Sequence, residues 1–133
     1  MKVTGTDGKK YTWQLAKYVG NKNTNPSELH LQVREFLAEN YPALQILEEV
    51  YIESEKLYID FYISLLKIAI EVQGRQHDNF SLFMHKNKLG FSRAKGRDNR
   101  KAEFCRINGI KLIYFYPEEE IDEWKTKMGL KTT

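Results

Sequence analysis

Two carboxylates, Asp60 and Glu71, sit inside the most apolar stretch of the chain, YIDFYISLLKIAIEVQG at 58–74. The stretch is rich in β-branched and aromatic residues and reverses near Ser64–Lys67, which predicts two antiparallel strands. With Leu65 and Leu66 at the tip of the reversal, Ile59 faces Val72, Phe61 faces Ile70 and Ile63 faces Ile68. All three pairs are apolar and share one face. On the other face Asp60 stands opposite Glu71, with Cβ atoms about 4.5–5.5 Å apart. Gln73 lies two residues further on and shares that face. Carboxylates this close repel, and partial burial makes ionising both costlier. A hard divalent cation resolves the conflict. Mg2+ takes one or two carboxylates, with water and phosphate oxygens completing its shell, and it polarises a phosphoryl oxygen and acidifies water. The ordinary alternative is a solvent-facing acidic pair neutralised by Lys or Arg.

The elements that must position this pair follow from the rest of the sequence. NPSELHLQVREFLAENYP (25–42) predicts a helix with Asn25 as N-cap, Pro26 in the first turn and Glu28 at the capping-box position. Its stripe is Leu29, Val33, Phe36 and Leu37. His30, two residues past Glu28, falls on a different face from Glu28 and is not assigned to the site. LQILEEVYIE predicts a strand and Ser54–Lys56 a turn. LYIDFYI and KIAIEVQ are the next two strands. Residues 74–91 read as a long loop, a length that compact domains seldom keep without a use. SRAKGRDNRKAEFCRIN predicts a helix starting at Ser92 or nearer Asp98, capped by Gly109. IKLIYFY is a buried strand, and EEEIDEWKTKM closes the chain as a helix with acids first and lysines last, as its dipole favours. The order is helix, three strands, helix, strand, helix: a mixed α/β sandwich. Residues 1–24 read as an extension, with a turn at Asp7-Gly8 between two short extended pieces and a short helix ending at Gly20. Residues 25–133 form the domain proper.

At 133 residues the chain makes one domain. It has no apolar run long enough to cross a bilayer, and MKVTGTDGKK has no signal core, so a cytoplasmic protein of a bacterial or phage-infected cell is expected. The single cysteine, Cys105, excludes an intramolecular disulfide and reads as a core thiol. No Cys/His cluster has zinc spacing. Net charge is only +3, but His85–Lys101 holds seven Lys or Arg and one acid. Such a patch on a nearly neutral protein points to a local phosphate-binding face.

The run IDFYI…IAIEVQGRQH…RDNRKAEFCRINGIKLI resembles the PD-(D/E)XK nuclease superfamily, and within it the very-short-patch-repair-like branch. Asp60 matches the first acid of the motif and Glu71 the second, while Gln73 stands where the family usually has Lys. The resemblance implies a restriction-endonuclease-like core, a mixed four-stranded sheet flanked by helices in the order αβββαβ. It implies a DNA endonuclease that uses Mg2+-activated water, with Mn2+ as a substitute, and leaves 5′-phosphate and 3′-hydroxyl ends. Asp60, Glu71 and the backbone carbonyl of Val72 would hold the ion. Glu28 matches the acid that the first helix points at the metal. An amide at Gln73 orients water but supplies no positive charge. Lys101, with Arg100 beside it, is the expected replacement for the motif lysine. The alternative is a non-catalytic nucleic-acid-binding module that keeps the fold without the chemistry.

His77 follows the catalytic strand in GRQH, and a group titrating near neutrality suits acid–base work or phosphate binding. A structural histidine is the plainer reading. Arg75, Lys86, Lys88, Arg93, Lys95, Arg97 and Arg100 would grip a phosphate backbone with steep salt dependence. Phe80, Phe83 and Phe91 interleave with them, either to stack on bases or to anchor the loop. The expected partner is duplex or branched DNA, with a homodimer as one source of selectivity.

Overall fold

A computed structural model describes residues 1–74 and 88–132, with side chains given up to 74 and from 99 onward. Strands β1 (Lys2–Thr4) and β2 (Lys10–Thr12) form a hairpin, followed by one 3-10 turn at Leu15–Tyr18. Helix α1 (Glu28–Asn40) leads into strands β3 (Leu47–Ile52), β4 (Leu57–Ile63) and β5 (Ile68–Val72). Helix α2 (Lys88–Ile107), strand β6 (Lys111–Phe115) and helix α3 (Ile121–Lys127) complete the chain. The sheet order is β3-β4-β5-β6. The first three strands meander antiparallel, and β6 lies parallel to β5. The mixed α/β order expected from the sequence is therefore the order of the fold. Among the described residues no helix is long and apolar enough to cross a membrane.

The β4–β5 register is the one that the apolar pairing demands, with Phe61 opposite Ile70 and Ile63 opposite Ile68. The reversal is longer than a two-residue loop. Ser64–Leu66 form a 3-10 turn, and Lys67 at φ 53° redirects the chain into β5. Ile59 is a second departure: it packs in a different cluster from Phe61 and Ile63. Tyr62, three residues along, shares the Ile59 cluster, and on β3 Leu47 and Val50 share it at the same spacing. Both strands thus lose their strict alternation at one place, the row holding Glu49 and Asp60. The β3–β4 ladder has no pair there, and Glu49 has φ 52°.

Two apolar layers sandwich the sheet. One joins Leu29, Val33, Phe36 and Leu37 of α1 to Phe61, Ile63, Ile70, Phe115 and Trp124. The other joins Phe104 and Cys105 of α2 to Val50, Ile59, Tyr62 and Ala69. Val3 and Trp13 belong to this second layer, so the N-terminal segment contributes side chains to the core. Trp13 packs against Tyr62, ring centroids 4.8 Å apart and tilted by 42°, and donates its indole N–H to the Tyr51 carbonyl at 2.8 Å. Asn108 ties Thr4 down in both directions, accepting from its N–H at 2.8 Å and donating to its carbonyl at 2.9 Å.

Helix ends follow local chemistry. The α1 N-cap is Ser27 and not Asn25, because the Ser27 hydroxyl accepts from the His30 N–H at 3.1 Å. α2 begins at Lys88, four residues before the earliest expected start, so six of the seven Lys and Arg of the basic run lie on helical backbone. It ends as expected at Gly109, φ 68°, where Ile110 N–H bonds the Cys105 carbonyl at 2.8 Å in a Schellman arrangement.

Candidate functional site

Continuing the β4–β5 register one residue past Phe61–Ile70 sets Asp60 opposite Glu71, and the β3–β4 register sets Glu49 opposite Asp60. Three acids therefore form one row across three adjacent strands, at a place where neither ladder has a backbone pair. The polar groups freed there find other partners, as buried backbone must. Val72 N–H donates to Asp60 Oδ2 at 2.7 Å, and Asp60 N–H donates to Glu71 Oε2 at 3.3 Å. In an antiparallel pair one residue's N–H and C=O face the same neighbour. With the Val72 N–H turned to Asp60, its carbonyl faces that side as well.

The opened row is reached from both layers. From the α2 side the Lys101 ammonium pairs with Glu71 Oε1. Cys105, one turn along α2, is buried and pushed up to about 12 by burial and then by the Glu71 charge, so it is an inert core thiol. From the α1 side comes His30, 3% exposed, its ring stacked on Phe61 at 4.4 Å. His30 Nε2 meets Glu48 Oε1 at 2.8 Å. Arg34 clamps the same carboxylate from two nitrogens, both at 2.9 Å.

The environment pushes these acids apart electrostatically. Glu71 is only 4% exposed, and burial first, then the hydrogen bond and charge of Asp60, push its carboxyl up to about 8 against the pull of Lys101. Burial and the Asp60 charge also raise Glu49. Burial acts on Glu48 too, but hydrogen bonds from Arg34 and His30 outweigh it and hold this carboxyl below its usual range. Glu71 thus carries a proton at neutral pH that a dication would displace, and Glu48 stays anionic behind His30.

Of the residues expected at the site, Asp60, Glu71, Val72 and Lys101 come together. Gln73 follows on β5, half-buried, its N–H donating to the Phe115 carbonyl at 2.9 Å. Glu28 does not join them: it is exposed on the first turn of α1, and His30 is the residue that α1 brings to the row. The sequence carried that signal. His30 is three residues before Val33 and seven before Leu37, which places it on the buried stripe. Glu49 was equally legible as an acid interrupting an apolar strand. Arg100 is exposed on α2. For Lys88, Arg93, Lys95 and Arg97 the structure gives the α2 backbone only, and Arg75, His77 and Lys86 lie outside the described residues.

Over 57 residues the chain is 40% identical to Uncharacterized protein 307L of Invertebrate iridescent virus 6, covering 43% of this chain and 29% of the relative. Over 62 residues it is 34% identical to Uncharacterized protein 033L of Invertebrate iridescent virus 3, covering 47% of this chain and 32% of the relative. The chain spans about a third of the length of the curated relatives it matches. No protein-family model and no solved structure matches it.

Proposed function

We propose that this protein is a metal-dependent DNA endonuclease of the PD-(D/E)XK type. The supporting architecture is a helix, three antiparallel strands, a helix and a parallel fourth strand, the αβββαβ order of a restriction-endonuclease-like core. One observation carries the reading: the Lys101 ammonium contacts Glu71 beside Asp60, so α2 supplies the cation that Gln73 cannot. Two carboxylates and the Val72 carbonyl, meeting where the sheet is open, are a donor set suited to Mg2+. When bound there, the ion polarises a phosphoryl oxygen and acidifies a water.

The chain's own groups do the rest. Asp60 is oriented by the Val72 N–H, so its second oxygen is held in a fixed direction. Glu71 must shed its proton before it can serve as a ligand, and Lys101 favours that loss. Lys101 is also a positive charge in direct contact with the row, placed to offset charge building on a scissile phosphate. The Gln73 amide orients water without adding charge. The α2 backbone carries Lys88, Arg93, Lys95, Arg97 and Arg100 on the element that delivers Lys101, which concentrates positive charge on that element for a phosphate backbone.

Supercoiled plasmid incubated with the protein and Mg2+ or Mn2+ tests the reading. Nicked or linear product is expected, and it should vanish for Asp60→Asn and Glu71→Gln while salt-sensitive DNA binding persists. Binding without cleavage by the wild type under either ion would leave only the non-catalytic module. Full cleavage by either variant would refute the assignment.

A further inference from the structure

Asp60, a ligand of the proposed Mg2+ seat, also belongs to a second constellation whose other two members that seat does not use. One ring nitrogen of His30, one carboxylate oxygen of Glu49 and one of Asp60 all lie within 4.8 Å of one another. Around an ion with bonds near 2.1 Å, neighbouring ligand atoms sit about 3 Å apart and opposite ones about 4.2 Å apart. Small side-chain movements therefore close the three onto one ion. Each ligand is restrained from behind. Glu49 accepts from Asn23 Nδ2 at 3.1 Å, and Asp60 from Val72 N–H at 2.7 Å.

His30 is the deciding residue. It is 3% exposed, and Glu48, clamped by Arg34, takes its Nε2. Among the described residues the other ring nitrogen has no hydrogen-bond partner. A buried imidazole fixed on one side by a carboxylate is the usual support for a metal-bound histidine. Mg2+ strongly prefers oxygen ligands, whereas first-row transition dications, Mn2+ included, accept an imidazole nitrogen more readily.

We propose that His30, Glu49 and Asp60 form a nitrogen-containing metal seat on the α1 side of the row, taking a first-row transition dication of the Mn2+ class in preference to Mg2+. The seat goes beyond the nuclease reading and is testable without any DNA.

The experiment is pulsed electron paramagnetic resonance of the metal-free full-length protein reloaded with Mn2+ alone, alongside calorimetric titration with Mn2+ and Mg2+. Modulation from a coordinated nitrogen is expected. It should persist in His77→Ala and disappear in His30→Gln, with Mn2+ affinity at least tenfold lower. Glu49→Gln should weaken Mn2+ similarly, and it stands in if His30→Gln does not fold. Affinity for Mn2+ should exceed that for Mg2+ by tenfold or more, and the His30 change should narrow the gap. Absence of nitrogen modulation in the wild type, or its survival in His30→Gln, would overturn the seat whether or not the protein cleaves DNA. Loss of cleavage alone, with nitrogen modulation intact, would instead count against the nuclease reading.

Discussion

The proton held by Glu71 makes the sharpest test of the site. Its carboxyl is buried, faces Asp60, and is pushed up to about 8 from an ordinary value of 4.5. Below about pH 4.5 the group is protonated whether the chain is folded or not, and it costs nothing. Between the two values the folded state keeps a proton that the unfolded chain has lost, so stability falls as pH rises and levels off above about 8. At about 1.4 kcal/mol for each pH unit, that interval corresponds to a loss on the order of 5 kcal/mol. A domain has roughly 5–15 kcal/mol in all, so the metal-free protein should be visibly fragile in alkali. Urea unfolding in chelator at about pH 5 and about pH 9 measures the loss directly. Glu71→Gln, a neutral isostere, should remove most of the slope. Mg2+ or Mn2+ should restore more stability to the wild type at the higher pH than at the lower, because a dication takes the place of the proton. If wild type and Glu71→Gln lose stability in parallel, Glu71 is not the proton holder, and the account of the row fails.

Three further outcomes follow from the same geometry. Lys101→Met should lower cleavage by about 10²–10³-fold through the loss of one preorganised charge, with a much smaller effect on DNA affinity; single-turnover cleavage beside salt-dependent binding separates the two. Gln73→Lys should retain or raise cleavage, since it returns a cation to the end of β5, and complete loss would show that the amide has a role no cation can fill. Trp13→Ala should cost about 3–5 kcal/mol, through a cavity against Tyr62 and Phe104 and an orphaned Tyr51 carbonyl; a change under about 1 kcal/mol in urea unfolding would mean that residues 1–24 are dispensable to the fold.

What could be read from the sequence was whatever local pattern decides. Apolar alternation on both sides of Ser64–Lys67 fixes the β4–β5 register, because a one-residue slip would turn every core side chain to the wrong face. Asp60 opposite Glu71 is a direct consequence. Lys101 was legible too, since Phe104 and Cys105 mark the buried side of α2 and Lys101 lies one turn before Cys105. The kink at Glu49 and Asp60 was not legible in the same way. Strict alternation kept Ile59 with Phe61, whereas non-local packing against Tyr62 and Val50 claims Ile59 for the α2 layer. That switch is what admits His30 from the opposite side. The role of Trp13 was hidden for a similar reason: KYTW carries no period of its own, and only contacts far along the chain bury it.

The row is expensive to maintain, and that is the strongest reason to think it is used. Ladder pairs are missing on both sides of Asp60. Glu49 holds a left-handed backbone angle that costs a non-glycine residue about 1–2 kcal/mol. Glu71 is buried where its ionisation is opposed. A sheet selected for stability alone would place Val, Ile or Thr at these three positions and close its hydrogen bonds. Here the opening is instead lined in an orderly way: Val72 N–H satisfied by Asp60, Glu71 countered by Lys101, His30 backed by Glu48 and Arg34. Two aromatic-rich layers offset the cost, one through Phe36, Phe115 and Trp124 and the other through Trp13, Tyr62 and Phe104. Broken pairing and a left-handed non-glycine residue in one row, with the Val72 and Asp60 N–H groups each given a side-chain partner, fit a site held ready for a ligand, and the ligand proposed here, the one that would neutralise three converging carboxylates, is a cation.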